Sequence, residues 1–250
     1  MSVYVFTGPT LPPKEARAVL DAVYLPPVSE GDVYRASLEG PLAIGIVDGY
    51  FENVPSVWHK EILWAMSRGI HVFGSASMGA LRAAELAPFG MEGVGAVFEA
   101  YRDGWIEDDD EVAVIHGPME FGYPVLSEAM VNIRRTLEDA VAADVIGEAT
   151  RRELIAIAKG LFYRDRAYPH IIRRAHHEGL DSRELGALLD WLPRGKVDQK
   201  RDDALLMLSV MRERLAEGLE PKRVSYGFEH TTIWEIGSRR ARAQASSVGA

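Results

Sequence analysis

From the amino terminus to about Phe121, short runs rich in β-branched and aromatic residues alternate with amphipathic stretches. This is the pattern of strands joined by helices over a mostly parallel sheet. Val3-Tyr4-Val5-Phe6 reads as a first strand ended by Thr7-Gly8-Pro9-Thr10, and Pro12-Pro13 stand where a first helical turn accepts proline, so a helix is predicted to run on to Ala22. Residues 42–47 form a continuous apolar run, predicted to be a central strand buried on both faces and closing on Asp48-Gly49-Tyr50-Phe51-Glu52. Pro55-Ser56 opens a helix that would bury Val57, Trp58, Ile62, Leu63 and Met66 and that Gly69 ends. Residues 70–73 are the next strand, and Val112-Ala113-Val114-Ile115 is a later one.

After Phe121 the period changes. Residues 126–145, 149–161, 181–192 and 199–216 all carry helical spacing, with Ser127, Asp181 and Asp198 as caps at or near their starts. The predicted architecture is α/β, an N-terminal mostly parallel sheet with flanking helices followed by an all-helical C-terminal region. It divides into residues 1–125, 126–237 and a flexible tail at 238–250, where little apolar surface is available for docking.

Composition narrows the chemistry. With 250 residues, 47% apolar and 26% charged, the chain is an ordinary globular one, long enough for one large domain or two modest ones. No apolar run reaches the roughly 18 to 20 residues a bilayer span needs, and the start lacks the basic residues and cleavage site of a secretory signal, so a cytoplasmic protein is expected. The absence of cysteine excludes disulfides, thiolate metal sites and a Cys nucleophile, leaving Ser, Thr, Lys, His or a carboxylate for any covalent step. Residues 1–125 hold 7 Lys+Arg against 18 Asp+Glu, whereas residues 126–250 hold 21 against 19. An acidic front half repels phosphate backbones, so no nucleic-acid partner is expected.

The most informative segment is 69–86, where a strand enters a turn of small residues, Gly74-Ser75-Ala76-Ser77-Met78-Gly79, and leaves as an Ala-rich helix. Backbone N–H groups of such a turn point outward at the positive end of the helix. The turn can bind an anion, present a serine nucleophile beneath amides that stabilise an oxyanion, or simply let helix and sheet pack closely. Ser77 is the better nucleophile candidate, with the Met78 N–H facing the developing charge; Gly79, Ser75 and Arg82 complete an oxyanion- or anion-binding set. The Gly-x-Ser-x-Gly elbow is matched only in part, because Ser75 stands where its first Gly should be. Ala76-Ser77-Met78-Gly79 is similar to the nucleophile turn of Clp-type serine peptidases.

A serine hydroxyl needs a base. His59, expected in the first turn of the helix after strand 42–47, is the first candidate, with Asp48 or Glu52 to orient it; His116, following the 112–115 run, is the rival. His71 reads as a packed core residue. The acidic run Asp108-Asp109-Asp110-Glu111 reads as solvated, with Asp109 an alternative site residue and no metal expected.

Together, Val47-Asp48-Gly49-Tyr50-Phe51-Glu52, Pro55-Ser56-Val57-Trp58-His59-Lys60-Glu61-Ile62-Leu63, Ser77-Met78-Gly79-Ala80-Leu81-Arg82-Ala83-Ala84-Glu85-Leu86, Gly90-Met91, Asp109-Asp110-Glu111-Val112-Ala113, Leu126-Ser127-Glu128-Ala129-Met130 and Phe162-Tyr163-Arg164-Asp165-Arg166 resemble the TfuA-like family over roughly residues 40 to 170. The resemblance implies a partner of YcaO enzymes, which use ATP to activate a peptide amide so that sulfur replaces its oxygen. It implies hydrolysis of a thiocarboxylated ubiquitin-like sulfur carrier to release hydrosulfide, with no cofactor in this chain and the peptide substrate met through the complex. The alternative is a non-catalytic docking subunit that binds carrier and YcaO and stimulates thioamide formation. Arg164 and Arg166 are candidate interface residues in the helical half.

Overall fold

Five short apolar segments, Val3–Phe6 (β1), Val23–Leu25 (β2), Ala43–Ile46 (β3), His71–Ser75 (β4) and Glu92–Val94 (β5), pair into one all-parallel sheet of order β2-β1-β3-β4-β5. The structure is a computed structural model that describes residues 2–50 and 54–248, with side chains described up to residue 244. Phe6, Ile46 and Gly74 share a register line across the three central strands, and β3 and β4 are buried along their whole length. A parallel strand must return by a crossover, and the crossovers here are Pro13–Val19 (α1), Asp32–Leu38 (α2), His59–Ser67 (α3) and Met78–Leu86 (α4), with Ala96–Arg102 (α5) following β5. The fold class read from the sequence is the one observed.

Among the elements that escape the sequence pattern are β2, β5 and α2. β2 and β5 are three residues each, too short for periodicity to register, and α2 lies between the prolines at 26–27 and the next strand. Conversely, the 112–115 run is not a strand of the sheet. It follows a 3-10 turn at Asp109–Glu111, and the Ile115 N–H donates to Ser127 Oγ, so Ser127 braces this loop rather than capping a helix.

The division of the chain also differs from the boundaries at 125 and 237. One unit comprises Met1–Ile106 with Arg201–Ala250, the other Glu107–Lys200. Helix Gln199–Glu217 (α10) explains the return: Ala204, Met207, Leu208 and Met211, spaced on one helical face, are wholly buried with Val3, Val5, Ala43 and Phe73. Each large side chain so buried is worth about 1.5–3 kcal/mol. Met207 and Met211 sit over Gly45, so α10 covers the face of the sheet opposite to the one where Gly74 meets α4. Within the predicted tail, residues 238–248 instead belong to helix Thr232–Val248 (α11), anchored by Trp234, whose ring meets Tyr34 at 5.3 Å and Trp64 at 5.6 Å. That aromatic anchor lies upstream of the polar stretch, which is why the stretch looked undocked.

The second unit is helical: Met130–Ala142 (α6), Glu148–Gly160 (α7), Tyr168–His177 (α8) and Ser182–Gly195 (α9). Ile133, Leu137, Leu154, Ile171 and Leu188 centre its core, and Asp181 caps α9 by accepting the Arg183 N–H at 2.8 Å. Among the described residues no helix is long and apolar enough to cross a membrane.

Candidate functional site

The carboxyl edge of the sheet is built by three loops. At the end of β4, the Ser77 N–H donates to the Ser75 carbonyl at 2.7 Å across Ala76, whose φ is +66°. This is a γ-turn of the strained, positive-φ kind, costing about 1–2 kcal/mol at a residue with a Cβ. It holds because the Ala76 methyl is fully buried in the core. The turn delivers Ser77 to the N-cap of α4, where it is 3% exposed and its hydroxyl makes no hydrogen bond to any described residue.

Two glycines bring α4 close to the sheet. A Cβ on Gly79 would lie 1.7 Å from the Ile46 carbonyl oxygen, and one on Gly74 would lie 2.2 Å from the Gly79 carbonyl oxygen. The Gly79 N–H donates to the Val47 carbonyl at 3.2 Å, so it is spent on packing and is not an oxyanion donor. The Met78 N–H donates to no described residue, which leaves the one amide the sequence assigns to an oxyanion at the positive end of α4. Ser75 is committed as well: its hydroxyl donates to the carbonyls of Val94 and Asp203, and it takes no part in an anion site.

The remaining candidates go elsewhere. Asp48 at the end of β3 accepts from the Gly8 N–H at 2.9 Å, the Thr10 N–H at 3.0 Å and the Thr10 hydroxyl at 2.6 Å. It fastens the β1 loop and does not orient a histidine. Glu52 lies outside the described residues. His59 opens α3 and bonds through Nε2 to Glu85 at 2.7 Å, sharing no hydrogen bond with Ser77. Glu85 is eight residues beyond Ser77 on α4, about 12 Å along the axis at 1.5 Å per residue. Desolvation pushes the Glu85 carboxyl up, but the hydrogen bonds from His59 and Arg82 outweigh it and its pKa is lowered. Arg82, also buried, gives Nε to the Val57 carbonyl, NH2 to Ser56 Oγ and NH1 to Glu85, so the family-like segments around residues 56–59 and 82–85 are zipped together. The base assigned to His59 and the anion role assigned to Arg82 are therefore corrected to a helix-pairing network. Glu85, the partner that sequence reasoning missed, was signalled only by its i,i+3 spacing from Arg82.

In the second unit, His116 bonds its own neighbour's carbonyl at Gly117 and packs on Tyr123, off any strand of the sheet. The acidic run is consumed by cations: Lys159 pairs with Asp108, Asp110 and Glu111, Arg134 with Glu111, and Arg166 with Asp110, while Asp109 stays exposed. Arg166 is fully buried, bonding also the carbonyls of Ala158 and Asp110, so it is a core residue and not an interface one. His71 is buried as expected, held by Glu92 and the Glu220 carbonyl.

Glu61, one turn into α3, is 2% exposed and accepts the N–H groups of Gly31, Tyr34 and Trp58. Burial raises its pKa from 4.5 to about 7 against those three bonds. The folded chain thus holds this proton longer than the unfolded one, so the stability that Glu61 contributes is fully present below pH 4.5 and is lost as pH climbs to about 7. Thermal melts should show Glu61→Gln losing this slope, a swing of about 3 kcal/mol in the wild type. Parallel pH profiles for the two proteins would contradict the assignment.

The sheet order and the Ser77 turn define a doubly wound α/β protein with its candidate chemistry at the carboxyl edge of the strands, where open parallel sheets bind ligands. The model of TfuA-like proteins matches residues 48–167, from the end of β3 to the residue before α8, so this segment of the chain is similar to TfuA-like proteins. The chain is also 32% identical over 94 residues to a Sinorhizobium medicae (strain WSM419) protein named GTP 3',8-cyclase, an alignment covering 38% of this chain. It spans 25% of that relative, and the activity in the name is that protein's own.

Proposed function

We propose that this chain serves a YcaO enzyme in peptide backbone thioamidation by hydrolysing the C-terminal thiocarboxylate of a ubiquitin-like sulfur carrier at the Ser77 turn. The match of residues 48–167 to TfuA-like proteins supports the setting. The reading is carried by the buried Ser77 hydroxyl and the Met78 N–H next to it at the start of α4, neither bonded to any described residue.

Ser77 Oγ attacks the thiocarboxylate carbon, and the carbonyl oxygen takes up negative charge facing the Met78 N–H. Collapse breaks the carbon–sulfur bond. The hydroxyl proton leaves on sulfur as hydrosulfide, because sulfur in the tetrahedral intermediate is a thiolate and accepts it. The substrate itself thereby takes the part of a histidine, none of which bonds Ser77 among the described residues. Water then cleaves the acyl-serine, giving the carrier carboxylate, a proton and free Ser77.

The purified chain mixed with thiocarboxylated carrier should release hydrosulfide and leave carboxylate carrier by mass spectrometry; no release would overturn the proposal. His59→Ala should stay within about threefold of the wild-type rate, whereas removal of a true general base costs about 10²- to 10⁴-fold. The second reading, a docking subunit whose Ser77 turn only grips the carrier's terminal carboxylate, draws on the absence of a Ser77–histidine bond among the described residues. It predicts carrier binding without hydrosulfide.

A further inference from the structure

Asp48 is a carboxylate that the chemistry at Ser77 leaves unused. It is 2% exposed at the end of β3, where β1 and β3 lie side by side and their crossovers depart in opposite directions, the switch point of the sheet. Burying a carboxylate is costly unless donors surround it. Here Oδ2 accepts the N–H groups of Gly8 and Thr10 and Oδ1 accepts the Thr10 hydroxyl, and both donor residues are themselves buried. The main chain of Asp48 is tied as well: its N–H donates to the Phe6 carbonyl at 3.4 Å and its carbonyl accepts the Val28 N–H at 2.9 Å. One residue thus fastens the end of β3 to the end of β1 and to the segment after β2.

The sequence neighbours of Asp48 are the residues on which the Ser77 turn rests. The Val47 carbonyl accepts the Gly79 N–H at 3.2 Å. Gly49 lies so close to the Met78 side chain that a Cβ there would stand 2.7 Å from Met78 Cγ and 2.8 Å from its Cβ. Met78 and Gly79 are therefore gripped from β3 by residues 47 and 49, whose place Asp48 sets. Ser77 is held from the adjacent strand, since its N–H donates to the Ser75 carbonyl at the end of β4. Nucleophile and oxyanion donor take their positions from two different strands, and Asp48 acts on the donor.

We infer that Asp48 is a positioning residue for thiocarboxylate hydrolysis: its three hydrogen bonds fix the end of β3 so that the Met78 N–H meets the carbonyl oxygen as charge develops there. The inference rests on the reading of Ser77 given above. Sulfur carries most of the charge of a bound thiocarboxylate, whereas the oxygen gains charge as Ser77 Oγ attacks, so a displaced Met78 N–H weakens the transition state and spares binding.

Full-length variants are assayed with thiocarboxylated carrier well below their melting temperatures. Asp48→Ala strands three buried donors and frees the end of β3, and kcat should fall on the order of 10²-fold with KM within about threefold. Asp48→Asn should recover most of that loss, because its amide oxygen can accept both N–H groups while its NH₂ donates to the Thr10 oxygen. The backbone amide resonance of Met78 should move in Asp48→Ala and return in Asp48→Asn. Asp181→Ala, which loses the α9 cap, should melt earlier with kcat unaltered, so lost stability alone does not reproduce the pattern. If Asp48→Ala does not fold, Thr10→Val, which removes one of the three bonds, takes its place with a kcat loss of about fivefold at constant KM. A kcat within about threefold of wild type in Asp48→Ala (or unchanged in Thr10→Val where that variant stands in), a loss confined to KM, or a Met78 resonance indifferent to Asp48 would overturn the assignment. Should the wild-type chain release no hydrosulfide, the Ser77 reading falls, and the Met78 resonance alone decides whether Asp48 sets this N–H.

Discussion

Ser77→Ala is expected to lower hydrosulfide release from thiocarboxylated carrier by on the order of 10³-fold or more while leaving carrier affinity within about twofold. The large rate effect follows from the role of the hydroxyl: it forms the new bond to carbon and also supplies the proton that departs on sulfur, so no other group takes over both tasks. The small binding effect follows from its surroundings. The hydroxyl has no described hydrogen-bond partner, so removing it leaves no buried group stranded. The Met78 N–H and the end of α4 remain to hold the carbonyl oxygen, which preserves binding and any residual rate. Stopped reaction mixtures analysed for hydrosulfide, alongside calorimetry, separate the two quantities. A mutant that still turns over at the wild-type rate would assign Ser77 to binding alone.

Gly79→Ala should cost about 4 kcal/mol or more and lower Tm by about 10 °C or more, since a methyl placed 1.7 Å from the Ile46 carbonyl oxygen meets backbone that has no rotamer to escape through. Relief requires α4 to lift from the sheet, which also breaks the hydrogen bond from Gly79 to Val47 and displaces the Ser77 turn. Gly186→Ala is the matched control. It lies inside α9 with open space around the added carbon, and should stabilise by about 0.5–1 kcal/mol because alanine loses less backbone freedom in a helix. Equal melting temperatures for the Gly79 variant and the wild type would show that α4 is not held to the strand ends as described.

Much of this site is legible along the chain. The strand-to-helix turn at residues 74–79 is marked by its run of small residues, and the position of Ser77 at the N-cap of α4 follows from where helical spacing begins. The partners are not legible. Asp48 and His59 stand eleven positions apart at what looks like one rim, yet Asp48 is drawn back to the β1 loop by Gly8 and Thr10, and His59 is drawn along α4 by Glu85. Each carboxylate and imidazole had several candidates within reach in sequence, and the choice among them depends on distances of a few ångströms that spacing does not encode. The same holds for Arg166, whose charge suggests a surface and whose position is the middle of a core, satisfied by Asp110 and two carbonyls.

By itself the sequence determined the parallel α/β sheet, the helical block, the similarity to TfuA-like proteins and the turn that carries Ser77, because strand alternation, helical period and turn chemistry are local and each is written in a few adjacent residues. Only the tertiary structure decided that α10 returns to cover the sheet, that α11 is anchored rather than loose, and that Ser77 makes no hydrogen bond to a histidine among the described residues. Those outcomes turn on which apolar faces find each other and which polar groups are nearest once they have, and that contest between distant segments is settled by packing.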